Sequence, residues 1–435
     1  MTIVNFENVS TSAFDDDALT TSTPGERVLN FGTLTTTGDL ADGIFADADD
    51  VIIRNFALVE TSGLGAAGIF AAGEDARIAN YGTVITRSGF FDPDAGAEGD
   101  EVFSEGILAA GDRFYIANHG LVQVKGEVSS GMVGVGADGK VINYGQVDST
   151  ASGSSVISAV GDRSHAINAG QVTIGASDIA ALFVLGEDAA AFNFSQILVT
   201  GENSVGIEGV LGDTHLTNRG IVRVTADQSI GMGGFGDRHE ISNLGQIETH
   251  GTFSLGMSAR GGGPFALPGL DLEVLNAGQI TTEGDLAVGV AVGLSTLGFL
   301  PAAEGEIVNR GVIETEGNGA AGVVMIGNGH HLTNSGRVTT DGSEFDGGAV
   351  GLFRAVGVVV SGTNVLVENT RSGNIISEDA ASAAVEMNVV EQSDLPAAGM
   401  SSRLENSGLI EAADVAVLGS AGQETIVNHG RIVGI

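Results

Sequence analysis

The chain has 435 residues and a formal net charge of -37, with 68 glycines, six prolines and no cysteine. The absence of cysteine excludes disulfides, thiolate metal sites and cysteine nucleophiles, and the strong negative charge argues against nucleic acid or an anionic membrane surface as a partner. Scarce aromatic residues beside abundant Gly, Val, Ile, Thr and Asn are typical of short strands and tight turns. No apolar stretch reaches the roughly 18 residues of a membrane helix, and the first residues lack the pattern of a signal peptide. A soluble chain without a membrane span is therefore expected.

From the first residues onward, an apolar-x-Asn-x-Gly-x-apolar unit recurs, for example as VLNFGTL, IANYGTV and VINYGQV. Nine of the fifteen intervals between successive Asn residues are 25 residues long, five are longer and one is shorter. Apolar and polar residues alternate with a period of two around each Asn, which predicts strands rather than helices. The Asn residues of the sixteen units are Asn5, Asn30, Asn55, Asn80, Asn118, Asn143, Asn168, Asn193, Asn218, Asn243, Asn276, Asn309, Asn334, Asn369, Asn406 and Asn428.

Each unit is predicted to hold three short strands, of which one ends at the Asn, one resembles 33–36 and one resembles 43–46. Four-residue strands cannot bury their apolar side chains alone, but stacked units enclose a continuous core. The winding of parallel β crossovers is right-handed by default. The prediction is an all-β, right-handed parallel β-solenoid (β-helix) with three short strands per rung, about sixteen rungs of mostly 25 residues, and a single domain over 1–435.

The repeated Asn is interpreted as a structural ladder, because an amide at the same corner of every rung can donate to one neighbour and accept from the other. The Gly two residues later stands in twelve units and is expected to supply a positive φ at the corner. The predicted ladder residues are Asn30, Asn55, Asn80, Asn118, Asn143, Asn168, Asn193, Asn218, Asn243, Asn276, Asn309 and Asn334.

The residue after the Asn is aromatic or His in six early units. These residues are expected to stack in one column, interpreted as packing, with a ligand platform as the alternative. They are Phe6, Phe31, Phe56, Tyr81, His119 and Tyr144.

The repeat resembles the parallel β-helix passenger regions of bacterial autotransporters and large secreted adhesins, through units such as IANYGTV and VINYGQV across essentially the whole chain. The resemblance implies a protein of the bacterial cell surface or extracellular space. The chain departs from that pattern because no signal peptide and no alternating C-terminal segments of an outer-membrane barrel are visible.

Insertions into the repeat are predicted at 88–105, 260–273, 293–305, 341–347 and 388–402. Several are apolar and contain proline. Exposed apolar loops often mark a contact surface, but such loops can also fold down over their own rungs. Both interpretations stay open at the level of the sequence.

Acidic residues recur five or six positions before the Asn in every rung that leads into Asn55 through Asn243. Stacked carboxylates repel one another, and Ca²⁺ with its oxygen ligands would relieve the repulsion. Neutralisation by the Arg residues that directly follow three of the acids is the competing interpretation. The candidate calcium ligands are Asp112, Asp138, Asp162, Asp213 and Asp237.

Both ends of the chain lie within the repeat, and no capping helix is visible. Rungs at the two ends are therefore predicted to stack head to tail between molecules, which gives an open filament. The expected contact residues are Ile3, Val4 and Asn5 at one end and Ile426, Val427 and Asn428 at the other.

No catalytic motif or histidine ligand spacing is present, so no catalytic residue is assigned and an enzyme is not expected. The leading hypothesis is a secreted bacterial structural protein that associates with itself into a surface or matrix fibre. The alternatives are a carbohydrate-binding or polysaccharide-cleaving β-helix and a fragment of an adhesin passenger. Glycans or surface proteins are the expected further partners, no cofactor is required, and calcium is the candidate ion.

Overall fold

The computed structural model describes residues 1–435 except 88, 90–103, 154, 262–268, 296–297, 300–301, 347–351, 380–381, 388–399, 420–421 and 435. The chain divides into two compact units, Met1–Gly201 and Glu202–Ile435, here called the first and the second unit. The described residues form strands, turns and loops, and none of them lies in a helix. Accordingly, the described part of the chain has no helix that could span a membrane. The single domain over 1–435 stays a prediction.

In the first unit, the chain contributes one strand to each of three parallel sheets before the next rung begins. Sheet A consists of Thr2–Asn5, Arg27–Asn30, Ile52–Asn55, Arg77–Asn80, Tyr115–Asn118, Lys140–Asn143, His165–Asn168 and Ala189–Asn193. Sheet B consists of Val9–Thr11, Leu34–Thr36, Leu58–Thr61, Thr83–Thr86, Leu121–Val124, Gln146–Ser149, Gln171–Ile174 and Gln196–Val199. Sheet C consists of Leu19–Thr21, Ile44–Asp47, Ile69–Ala72, Ile107–Ala110, Met132–Val135, Ser155–Val160 and Ala180–Leu185.

The second unit repeats this order of strands. Its sheet A consists of Thr214–Asn218, Glu240–Asn243, Glu273–Asn276, Glu306–Asn309, His331–Asn334, Val365–Asn369, Ser401–Asn406 and Gln423–Asn428. Its sheet B consists of Ile221–Val224, Gln246–Thr249, Gln279–Glu283, Val312–Glu316, Arg337–Asp341, Asn374–Ser377, Leu409–Ala412 and Arg431–Gly434. Its sheet C consists of Val205–Val210, Ile230–Phe235, Leu255–Arg260, Val288–Val292, Ala321–Asn328, Val356–Ser361, Ala383–Met387 and Val415–Gly419.

Short additional strands of the second unit accompany its longer corners. Two of them extend the parallel pairing, and four form two antiparallel hairpins. The parallel pieces are Gly269–Leu270 and Ala302–Ala303, and the hairpins pair Leu294–Ser295 with Gly298–Phe299 and Phe345–Asp346 with Leu352–Phe353.

Within each sheet, equivalent residues of successive rungs lie side by side. Asn118 pairs with Asn143, for example, and Ile116 pairs with Val141. The residue two before the Asn points inward, and Ile116 and Val141 are fully buried, so each apolar column packs along the interior. The predicted right-handed parallel β-solenoid with three short strands per rung is confirmed.

The reason predicted for the Gly of the Asn-x-Gly unit is wrong. Gly145 and its equivalents do not have a positive φ. Instead, a Cβ on Gly145 would overlap the carbonyl oxygen of Gly120 in the preceding rung. At Gly175 a Cβ would meet no atom nearer than 3.8 Å. Glycine is therefore needed at Gly145 for close approach between rungs, not for backbone conformation.

Candidate functional site

The amides of the repeated Asn residues form a continuous ladder within each unit. In each of the seven steps per unit, Nδ2 of one Asn donates to Oδ1 of the Asn in the next rung over 2.8 to 3.0 Å. The members from Asn30 to Asn406 are fully buried. Because a buried polar group without a partner is costly, these bonds permit the amides to occupy the interior.

Asn168 shows how completely each amide is satisfied. Its Nδ2 donates to Oδ1 of Asn193 at 2.9 Å and to the carbonyl oxygen of Gln196 at 3.2 Å. Its Oδ1 accepts from Nδ2 of Asn143 at 3.0 Å and from the amide of Gly170 at 3.2 Å. Both donors and both lone pairs are thus in use, which leaves this interior amide no capacity for a ligand.

The acidic column occupies two adjacent corner positions with different partners. At the first position, Oδ1 accepts a backbone N–H from the next rung: Asp112 from Ala137 at 2.9 Å and Asp162 from Glu187 at 3.0 Å. Asp237 accepts in the same way, from Leu270 at 3.1 Å. These carboxylates therefore connect corners, as the Asn residues do in the interior.

At the second position, carboxylates pair with arginines one rung away. Asp138 binds Arg163 through two bonds of 2.7 and 2.8 Å, and this pairing lowers the pKa of Asp138. Asp213 pairs with Arg238, also one rung away, through Oδ1 and Nε. Among the described residues, no group of three or more His, Asp or Glu side chains is arranged to hold a metal ion. Calcium at Asp112, Asp138, Asp162, Asp213 and Asp237 stays a prediction.

The six rings that follow the Asn residues form an exposed column on the first unit. Neighbouring ring centroids lie 4.7 to 5.1 Å apart, and the planes differ by 3 to 12°. Each stacked pair is worth about 0.5–1.5 kcal/mol. Because the rings cover one another's faces, only edges point to solvent along the column. This geometry favours packing over a platform on which a sugar ring could stack.

The outward side of sheet A in the first unit is basic, and no residue was assigned to this surface from the sequence. Its side chains come from the positions one and three before the Asn. Arg27, Arg54, Arg77 and Lys140 are exposed here, and within the described residues none of them forms a salt bridge. No Asp or Glu lies in these eight strands. We call this surface the basic face.

The corresponding surface of the second unit has the opposite charge. Its outward positions include five glutamates and one arginine, and Arg403 is paired with Glu405 at 2.6 Å. The glutamates are Glu240, Glu273, Glu306, Glu368 and Glu405. The basic face could have been found in the sequence, because its residues stand at fixed positions before each Asn. It becomes visible only when the residues at these outward positions are considered separately from the net charge of the whole chain.

The predicted insertions at 88–105 and 388–402 lie largely outside the described residues, whereas those at 260–273, 293–305 and 341–347 are described in part. On the second unit, buried side chains of sheet C form an apolar cluster that includes Leu255, Val288 and Val324. Leu294, which belongs to the insertion at 293–305, packs against this cluster. At this position the apolar insertion covers its own rungs rather than presenting a contact surface.

Two buried carboxyls lie at the corner before sheet C in the first unit. Burial raises the pKa of Asp42 to about 8, and nearby Asp15, Asp17 and Glu105 raise it further against the lowering effect of the hydrogen bond from Ala67. Burial likewise raises the pKa of Glu105 to about 8. Both groups are therefore protonated in the folded chain at neutral pH and carry no charge there.

Since these carboxyls ionise near pH 4 when unfolded, their contribution to stability is complete below pH 4 and is lost as the pH rises to about 8. In the wild-type chain, each of the two groups should cost on the order of 1 kcal/mol of stability per pH unit as the pH rises over this range. We predict that the double variant Asp42→Asn with Glu105→Gln no longer shows this pH dependence. The melting temperature at pH 5 and pH 8, followed by circular dichroism, measures this. The exposed pair Asp47→Asn with Glu187→Gln is the control, and an equal change in both variants would contradict the assignment.

Three-stranded rungs stacked in parallel, with an interior amide ladder, place the chain among the surface parallel β-helix proteins. The chain belongs to the family described as BigA third pectate lyase-like domain, whose model matches 148–373, just over half of its length. Comparison with curated proteins and with solved structures found no match. The family is that of a domain of an adhesin-like surface protein, so the resemblance to adhesin β-helices is confirmed.

Proposed function

We propose that this domain is a non-enzymatic binding segment of an adhesin-like protein on a bacterial cell surface. The observation that carries the proposal is that most polar groups of the repeat are bonded within the chain, whereas the cations of the basic face are not in salt bridges. The interior amides are consumed by bonds between rungs, and corner acids such as Asp112 and Asp138 are held by backbone amides and arginines. The basic face, in contrast, holds exposed cations without a salt bridge in the described chain. Charged groups of this kind are available to a partner.

The family supports a surface location, because domains of the BigA kind come from surface-exposed bacterial proteins. A stack of rungs whose interior amides are bonded from rung to rung also suits a segment that must hold a binding surface in a fixed shape. Secretion and self-association are further parts of the proposal, which the family alone does not supply.

The pectate lyase-like fold also occurs in enzymes. Glu208 and Arg260 are therefore considered as a candidate catalytic pair. Burial raises the pKa of Glu208 to about 7, while the charge of Arg260 opposes the shift. Within the described residues, Nε of Arg260 has no hydrogen-bond partner. Its guanidinium lies 4.1 Å from the centroid of the Phe235 ring, and that ring belongs to the buried apolar cluster. Arg260 is thus held against a buried apolar surface.

We predict that the chain does not cleave polysaccharides. The purified protein is incubated with polygalacturonate, alginate and xylan, and both the new reducing ends and the absorbance of unsaturated products are followed. The expected result is no product above a buffer blank. Cleavage that is abolished by Glu208→Gln and retained by the exposed control Glu187→Gln would overturn the non-enzymatic function and assign the acid-base role to Glu208.

A second candidate function, stacking of rungs end to end, is favoured by the rung at Gln423–Asn428. Ile426 occupies an inward position in the register, opposite the buried Leu404, yet is 50% exposed. Asn428 accepts from Asn406, and within the described residues its Nδ2 has no acceptor. An added rung, from a second copy beginning at Ile3 and Asn5 or from adjoining chain, would cover the isoleucine and extend the ladder.

If copies stack in this way, Ile426→Asp should abolish self-association, because a carboxylate would be buried against the next rung. Sedimentation velocity over a range of protein concentrations measures the effect. Val135→Asp is the matched control, since Val135 is 42% exposed but points outward. Wild-type protein that sediments as a monomer at the highest concentration, or an equal loss in both variants, would contradict end-to-end stacking.

A further inference from the structure

The cations of the basic face follow a regular spacing. Arg27, Arg77 and Lys140 occupy the same column of sheet A, with Ile52 and Tyr115 at the rungs between them. Successive rungs are ~4.8 Å apart, so these cations recur about every 10 Å along the column. His165 continues the column beyond Lys140.

Arg54 adds a cation in the neighbouring outward column, on the rung between Arg27 and Arg77. The acid with which Arg77 interacts electrostatically, Asp75, is already held by Arg113 through bonds of 2.7 and 3.0 Å. The exposed charges of the face therefore have no competing carboxylate in its own strands. In a chain of net charge -37, such a surface is a local exception.

The uncharged residues of the column set the shape of the surface. Ile52 and Tyr115 lie between the cations, and both are partly buried, so the surface alternates between charged and weakly polar rungs. A ligand that matches it is a linear polymer with an anionic group at every second unit and neutral units between. A polymer with a charge on every unit would place anions opposite Ile52 and Tyr115 without partners.

We infer that the basic face binds an anionic polysaccharide with one carboxylate or sulfate per disaccharide. Two sugar residues of an extended chain span about the distance of two rungs, so successive anionic groups meet Arg27, Arg77 and Lys140 in turn. Arg can bind a carboxylate or sulfate through two parallel bonds, whereas Lys acts as a point charge. The inference rests on the proposed binding function and specifies its ligand class.

The acidic remainder of the molecule contributes selectivity. The chain repels polyanions in general, so productive binding requires the polymer to follow the narrow column along the sheet. Double-stranded DNA, which carries about one charge per 1.7 Å of its axis, brings far more negative charge against the acidic corners than a polymer charged once per disaccharide.

The test is biolayer interferometry at low salt with immobilised hyaluronan and κ-carrageenan. Hyaluronan offers one carboxylate and no sulfate on each disaccharide, and κ-carrageenan offers one sulfate and no carboxylate, so the two probes distinguish the sources of the anion. Polygalacturonate, neutral dextran and double-stranded DNA are the comparison ligands. We expect binding to at least one of the first two, weakened by added salt, and weaker binding to all three comparison ligands.

The variant Arg54→Gln, Arg77→Gln, Lys140→Gln should reduce the affinity by about tenfold or more, since it removes three cations of the face. The control Arg87→Gln, Arg223→Gln, Arg238→Gln removes the same charge from residues that are already paired with acids and should change the affinity by less than about twofold. Circular dichroism establishes that both variants are folded.

Three results would overturn the inference: binding of neither hyaluronan nor κ-carrageenan by the wild-type chain, equal losses in the two variants, or equally tight binding of polygalacturonate or DNA. The non-enzymatic binding function is tested separately. It fails if the probes are shortened during the measurement, and it survives if another glycan binds while these probes do not.

Discussion

The fold depends on one constraint, the need of a buried Asn amide for partners at the distance of one rung. An amide at 0% exposure, such as that of Asn143 or Asn168, can be satisfied only if the next rung presents the same group in the same register. Parallel strand pairing provides this register, and the ladder in turn penalises any slip, because a shift of one residue would put an outward side chain at the amide position. In rungs such as that of Asn143, the glycine two residues later permits the approach, since a Cβ on Gly145 would strike the carbonyl oxygen of Gly120 in the preceding rung.

The same logic governs the charges. A chain of net charge -37 must place many carboxylates on stacked rungs, where like charges recur at every level. Some are used as acceptors for backbone amides, as at Asp112, others are paired with arginines, as at Asp138, and two are buried in protonated form, Asp42 and Glu105. Four exposed cations without a salt bridge in the described chain, Arg27, Arg54, Arg77 and Lys140, lie on one sheet of the first unit. That distribution is what makes the basic face a candidate for function.

The period of the Asn residues was sufficient to predict the class of fold, the three strands per rung and the inward columns, because each of these follows from a repeat that can be counted. The role of the glycine could not be predicted, since a positive φ and a close approach between rungs both require glycine, and the residue type alone does not distinguish them. The partners of the acids could not be predicted either. Asp112 and Asp138 are both aspartates shortly before an Asn of the repeat, and only the geometry of the corner shows that one accepts from a backbone amide and the other pairs with Arg163. The basic face was not predicted from the sequence, because the net charge was considered for the whole chain. Arg27, Arg77 and Lys140 lie 25 or more residues apart in the sequence, so no local cluster of positive charge is visible there.

The ladder itself is tested most directly by the stability of Asn168→Ala. Truncation leaves Nδ2 of Asn143, the amide of Gly170 and the carbonyl of Gln196 without their bonds to this side chain, which should lower the free energy of unfolding by about 3 kcal/mol. Gln171→Ala, three residues along the chain and exposed, should change it by less than about 0.5 kcal/mol. Urea unfolding followed by circular dichroism measures both variants. A clear shift of the midpoint for Asn168→Ala alone is the predicted result, and equal midpoints for the two variants would contradict the account.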